Sequence, residues 1–287
     1  MKRLSIGALL ILGLASVSQA QVSRTFVGVN GNNFNDCLQP GTACRTLNGG
    51  IAKVDAGGEV IVIETGSYAG ATITKSVKIN VPSGAVAFSA LSLTITAGAN
   101  DVVVIRGVTM KALTPGSGTA INITSAGSVL IENCVIDGWL TGVAVATGAR
   151  VDIKDTTMRG NTTGVSVTNA NARVSADQVR AIRNGTAFSV TAGSVATIGR
   201  SLMAGNTTGA TASGGGSALT ISRSQISGQT GDGVLVGAGA FGRITDSLVS
   251  GNGVGLNNSG TLTSLGNNAV SGNTTNTSGT ITAGALQ

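Results

Sequence analysis

From Ile131 to Gly272 the chain repeats one short pattern, and this repeat constrains the fold more than any other feature. Ile131-Glu132-Asn133-Cys134-Val135-Ile136-Asp137-Gly138 aligns with Ile153 to Gly160, Ile198 to Gly205, Ile221 to Gly228, Ile244 to Gly251 and Leu265 to Gly272. The closing glycines stand 22, 45, 23, 23 and 21 residues apart. The long step holds two units, with Asn184 as the intermediate closing residue, so the period is 22 to 23 residues.

Two columns stay apolar through the repeat. Two places before the closing residue stand Ile136, Met158, Ile182, Met203, Ile226, Val249 and Val270. Seven places before it stand Ile131, Ile153, Ile198, Ile221, Ile244 and Leu265. Asp177 interrupts that column, and Ala176 is expected to take the inward place there. A second run follows each glycine, as in Gly142 to Val145, Gly164 to Val167 and Gly233 to Val236. Its apolar-then-small alternation is that of a strand with one buried face. Five places before the closing residue, Asn133, Asp155, Arg200, Arg223, Asp246 and Asn267 recur. Asn there fits a turn that tolerates left-handed backbone and stacks side-chain amides.

A unit of this length is too long for hairpins with tight two-residue loops. It fits one coil holding two or three short strands. Stacked coils place equivalent residues about 4.8 Å apart in parallel ladders, with one continuous core. The fold class is therefore all-β, a parallel β-helix solenoid. Upstream, Val77 to Ile79, Val102 to Val108 and Ile121 to Ile123 read as longer coils, with a lateral loop over Ala112 to Gly118 marked by Pro115. Thr46 is placed to N-cap a short capping helix with Leu47, Ile51 and Val54 on one face and Gly57-Gly58 at its end. Gly49 and Gly50 weaken that helix, which must lean on packing. The expected organisation is a signal peptide over 1–20, an N-terminal cap over 21–58, the β-helix over 59–275, and a C-terminal tail or worn cap over 276–287.

Composition narrows the function classes. Charged residues make up 10% and aromatics 2%, yet 41% of the chain is hydrophobic, too apolar for disorder. The 44 glycines show no three-residue period, which excludes collagen. Lys2 and Arg3, the apolar run Ile6 to Leu14 and the small residues of Ser18-Gln19-Ala20 read as a secretory signal peptide. The expected location is periplasmic or extracellular, with no later apolar run long enough to span a membrane. Without Lys2 and Arg3 the charge is 18 − 2 = 16 basic against 12 acidic residues, or +4, spread along the chain. No basic block interleaves with aromatics, so nucleic acid is not the expected partner. Export makes a Cys37–Cys44 disulfide the expected pairing around Pro40-Gly41, leaving Cys134 as a buried small side chain. With no histidine in the chain, Cys–His catalysis lacks its base and a zinc site its usual ligands.

Thr25-Phe26-Val27, Asn30-Gly31, Cys37, Cys44-Arg45-Thr46-Leu47 and Gly57-Gly58-Glu59-Val60-Ile61-Val62 together resemble the opening of bacterial secreted β-helix proteins of the pectate-lyase-like superfamily. Ile131 to Ile136 is also similar to that superfamily's repeat, and the resemblance covers about residues 24 to 275. It implies a right-handed helix. It also implies a range of functions, from lyases, hydrolases, esterases and epimerases to phage tailspikes and non-catalytic surface proteins. Fold cannot choose among them.

The paired aspartates and histidine of a hydrolase site are missing, and no esterase arrangement of two Asp, Arg and Gln is found. A lyase site needs acidic calcium ligands on successive coils and an Arg or Lys to remove the proton α to a carboxylate. The most charged coils carry Asp137, Arg159 and Arg183 in one column, the candidate catalytic residues, with Glu132 stacked on Lys154 nearby. Lys154, Asp155 and Trp139 are the candidate substrate-binding residues, Trp139 as a platform for a sugar ring. The plainer reading makes Asp137–Arg159 and Glu132–Lys154 exposed ion pairs between coils, contributing about 0 to 1 kcal/mol each. No metal site is expected; the weak option is Ca2+ on Asp152 and Asp155. Ice binding through Thr162-Thr163 and Thr207-Thr208 is disfavoured because those pairs do not recur on every coil. The expected function is binding of a polysaccharide or cell-surface partner without catalysis, the alternative a polysaccharide lyase acting on acidic glycans. If the column containing Ile198 is the core, Ile198→Asp buries an unpaired charge and abolishes the thermal unfolding transition; an unchanged Tm would contradict the column.

Overall fold

The computed structural model describes residues 21–285; the expected signal peptide lies outside the described residues. Each coil contributes one strand to each of three parallel sheets. Sheet A holds 12 strands, from Arg24–Val27 through Arg150–Lys154 to Ile281–Gly284. Sheet B holds 10 short ones, from Gly66–Ser67 through Thr157–Arg159 to Ala269–Val270. Sheet C also holds 10, from Ala71–Ile73 through Thr163–Val167 to Thr275–Ser278. Strand order runs one coil after another in every sheet, the topology of a solenoid. The polar segment near the C-terminus supplies the last strands of sheets C and A.

The register explains the apolar columns. Ile131, Ile153, Ala176, Ile198, Ile221 and Ile244 stand in one ladder of sheet A, and all are buried. In sheet B the inward ladder is Ile136, Met158, Ala181, Met203, Ile226 and Val249. One coil corrects the sequence reading. Its closing residue is Arg183, not Asn184, so Ala181 rather than Ile182 points inward. Arg183 adopts φ 54° where neighbouring coils have Gly160 at 63° and Gly205 at 62°. In the same coil Ala176 points inward and Asp177 outward, as the sequence led one to expect, because a strand alternates its faces.

The amide stack also lies elsewhere than expected. The column with Asn133 is left-handed as anticipated, but the stacked amides follow the closing residue: Asn161, Asn184, Asn206, Gln229, Asn252 and Asn273. Here the chain bends from sheet B into sheet C inside the core. The side-chain oxygens of Asn161, Asn184, Asn206 and Gln229 accept the N–H of Trp139, Asn161, Asn184 and Asn206 at 2.9, 3.0, 2.8 and 2.6 Å. Each amide NH2 donates back to a sheet B carbonyl, as Asn161 to Ile136 at 3.2 Å and Asn206 to Ala181 at 3.1 Å. Buried backbone groups at a corner are thereby satisfied, which water cannot do there.

At the N-terminal end, Leu47–Lys53 is the one α-helix among the described residues. The Thr46 hydroxyl caps it by accepting the Gly49 N–H at 3.1 Å. The helix stops at Lys53 with Val54 as C-cap, earlier than Gly57-Gly58. Gly50 is a packing requirement rather than a weakness, since a Cβ there would come within 2.7 Å of Val27 Cγ2. Cys37 and Cys44 are disulfide-bonded, with Cα atoms 5.1 Å apart.

Asn206→Ala orphans the buried Asn184 N–H and removes the side-chain hydrogen bonds from Asn206 to the Ala181 carbonyl and from Asn184 to Asn206. It is expected to cost on the order of 3 kcal/mol, read as a fall in the urea midpoint of unfolding.

Candidate functional site

The corner between sheets A and B takes two residues. The first is left-handed in six successive coils: Asn133, Asp155, Gln178, Arg200, Arg223 and Asp246, with φ of 52, 47, 55, 48, 46 and 48°. Non-glycine residues resist this backbone, so something must hold it. The second corner residue does so from inside. The Ser201, Ser224 and Ser247 hydroxyls accept the backbone N–H of Val179, Ser201 and Ser224 at 3.1, 3.1 and 3.2 Å. They donate to the carbonyls of Gly199, Ser222 and Thr245 at 2.7, 2.8 and 2.8 Å. Thr156 does the same two turns before Ser201, with Val179 in the coil between, and Cys134 stands one turn earlier still. Cys134 is buried, and burial pushes its thiol up to about 11, the state of an inert side chain.

This corner aims long polar side chains over the outer face of sheet B. Thr157, Arg180, Leu202, Gln225 and Leu248 stand in one outward column of that sheet, and Lys111, Asp137, Arg159 and Ile182 in the other. A groove of about 770 Å³ runs along the corner, lined by Asp155, Gln178, Arg180, Arg200, Arg223 and Asp246 among others. A second hollow of about 620 Å³ is lined by Asp137, Arg159, Arg180 and Arg183. Arg180 lines both, so the two hollows adjoin.

The structure therefore brings Asp137, Arg159 and Arg183 to one hollow, though Arg183 sits at the closing corner, with Ile182 in the column where it was expected. Arg159 Nε pairs with Asp137 Oδ2 at 3.2 Å. Asp155 lines the groove instead. Lys154 lines neither, being on sheet A between Glu132 and Asp177. The expected Glu132–Lys154 pair is replaced: Glu132 bonds Arg106 at 2.7 Å. Asp177 takes two hydrogen bonds from Arg200, one of them from Nε to Oδ1 at 2.8 Å, which hold its carboxyl below the usual range and raise the guanidinium. Trp139 is 4% exposed and offers no open ring face, because it occupies the inward column that becomes the amide ladder one coil later. Asp152 lies on sheet A beside Arg150 and Arg173, away from the corner that holds Asp155. Among the described residues no three His, Cys, Asp or Glu side chains gather.

Sequence reasoning passed over Gln178, Arg223 and Gln225 as site residues. An arginine or glutamine at a left-handed corner was the available signal. Among the described residues Arg180, Arg183 and Arg223 have no ion-pair partner, whereas Arg159 and Arg200 do. The face of sheet C differs in kind. Thr119, Thr141, Thr163, Thr186 and Thr208 stand in one column over five coils, a regularity hidden in the threonine pairs of the sequence.

The family model for the right handed beta helix region matches residues 119–275, more than half of the chain. The chain belongs to that family, and the solenoid is a right-handed parallel β-helix. Among solved structures it is similar to the crystal structure of pectate lyase Pel9A. The identity is 15% and the TM-score 0.52, with 94% of this chain and 80% of that one covered. At that identity the likeness is one of fold. No curated protein matches.

Arg159 is mostly solvent-exposed, so Arg159→Gln is expected to change stability by less than about 1 kcal/mol, measured as the midpoint of thermal unfolding.

Proposed function

We propose that this chain is an exported β-helix, of the kind found among bacterial secreted proteins, that holds a linear acidic polysaccharide along the outer face of sheet B without cleaving it. The observation that carries this reading is the set of unpaired arginines, Arg180, Arg183 and Arg223, in two adjoining hollows. A guanidinium offers two parallel N–H donors that fit a carboxylate, and it stays charged at any working pH. Arg180 and Arg223 lie two coils apart, roughly 10 Å at the spacing of stacked strands, so one polymer chain can meet both. Gln178 and Gln225 add neutral donors and acceptors for sugar hydroxyls. The disulfide fits an oxidising compartment.

The second reading is a polysaccharide lyase. It draws on the fold likeness to a pectate lyase and on Arg183, an unpaired guanidinium beside the Asp137–Arg159 pair. Arg200 is unsuited to act as base there, because Asp177 stabilises its protonated form.

The test incubates the chain from Gln21 onward with polyuronates and with neutral glycans, with and without calcium. The expected result is co-sedimentation with polyuronates, weakened by added salt, and roughly tenfold weaker in Arg180→Gln/Arg223→Gln. Unsaturated products absorbing in the ultraviolet, lost in Arg183→Ala, would establish the lyase instead. Failure to bind any polyuronate would overturn both readings.

A further inference from the structure

The coils that line the corner groove are not equivalent. Their left-handed corner residues are, in order, Asp155, Gln178, Arg200, Arg223 and Asp246, all exposed. Beside them on sheet B stand Thr157, Arg180, Leu202, Gln225 and Leu248, in one register column. The two columns together set what each coil offers a ligand.

Free positive charge falls on alternate coils. The second of the five carries Arg180 and Arg183 and the fourth Arg223, none with an ion-pair partner among the described residues. Each of these coils also brings a glutamine to the groove, Gln178 or Gln225. The third coil differs, although its corner residue is an arginine. Arg200 is held by Asp177 through two hydrogen bonds, and its neighbour on sheet B is Leu202. The first and fifth coils bring carboxylates, Asp155 and Asp246, and neither has an ion-pair partner among the described residues. Arg159 of the first coil is tied to Asp137, and the neighbour of Asp246 on sheet B is Leu248, 39% exposed.

From coil to coil the groove therefore repels, attracts, is neutral, attracts and repels an anion. A carboxylate with no cation to hold repels an anionic group set against it, and salt screens such a contact only partly within a Debye length of about 8 Å. A repulsive element of this kind confers specificity by penalising the wrong ligand. The two attracting coils lie roughly 10 Å apart at the spacing of stacked strands, which is close to the length of a disaccharide in an extended glycan.

We infer that the groove selects an acidic glycan in which charged and uncharged sugars alternate, with Asp155 and Asp246 as the specificity-determining residues that disfavour a polymer carrying a carboxylate on every sugar. The inference rests on the polysaccharide-binding reading and narrows its ligand. Arg180 and Arg223 take carboxylates two coils apart. The uncharged sugar between them lies over Leu202. The uncharged sugars beyond them turn hydroxyl donors to Asp155 and Asp246, which accept.

The test compares two β-linked polymers by co-sedimentation with the chain from Gln21 onward. Hyaluronan alternates a uronate with a neutral amino sugar, and polyglucuronate has a carboxylate on every sugar. The expected result is that both bind, polyglucuronate several-fold more weakly per carboxylate. Asp155→Asn/Asp246→Asn is expected to raise polyglucuronate affinity roughly tenfold and hyaluronan affinity less than about threefold. Asparagine already occupies this left-handed corner at Asn133, so the fold is kept. Asp152→Asn removes a negative charge from sheet A, outside the groove, and is expected to leave the ratio of the two affinities unchanged. Equal gains on both polymers, or a wild-type preference for polyglucuronate, would refute the selection and leave the polysaccharide-binding reading standing. A wild-type chain that binds neither polymer would refute that reading and the selection with it.

Discussion

Where each coil bends from sheet B into sheet C, a backbone N–H is turned into the core and has no strand carbonyl to meet. An unpaired donor in that position would cost about 1–3 kcal/mol per coil. The chain answers with a side-chain amide from the next coil, repeated from Asn161 to Asn273 with Gln229 as the only variation. Because the amide must sit in phase with the corner above it, every coil has to keep the same phase. Apolar columns, hydroxyl corners and outward polar columns inherit their alignment from that requirement. The first coil of the series has Trp139 in the amide place, which removes a donor–acceptor pair and adds a ring that needs cover.

The same economy shapes the outer face. Corners between sheets A and B are short because left-handed residues turn the chain sharply, and inward serines make that backbone tolerable. The left-handed residue itself is then free to carry any outward side chain. In this chain it carries Asp, Gln and Arg where the groove lies. At the sheet B to sheet C corner the usual occupant is glycine, and the single arginine there, Arg183, opens onto the neighbouring hollow. The coil spacing of this scaffold is set by backbone hydrogen bonds, so residues of one outward column recur at fixed intervals along one axis.

The coil period, the parallel stacking and most of the core were legible in the sequence, because equivalent residues repeat when they meet the same environment. Legibility failed at Arg183 and Asn184. Both are polar, they are adjacent, and in a coil without the closing glycine either could end the unit. The choice of Asn184 shifted Ile182 inward on paper, whereas Ala181 holds that place. The amide ladder was missed for a related reason: Asn at a left-handed corner and Asn in a buried stack look alike until the next coil is in position.

The sequence by itself determined the solenoid, its period, the buried character of Cys134 and the Cys37–Cys44 closure. These follow from periodicity and local chemistry, which are properties of one coil. Only the tertiary structure decided which charges pair. Glu132 lies between Arg106 and Lys154 in register, and side-chain geometry across coils gives it to Arg106. It also decided that Trp139 is covered and that Arg180, Arg183 and Arg223 stay unpaired in two adjoining hollows. Such facts depend on distances between coils, which no spacing along the chain encodes.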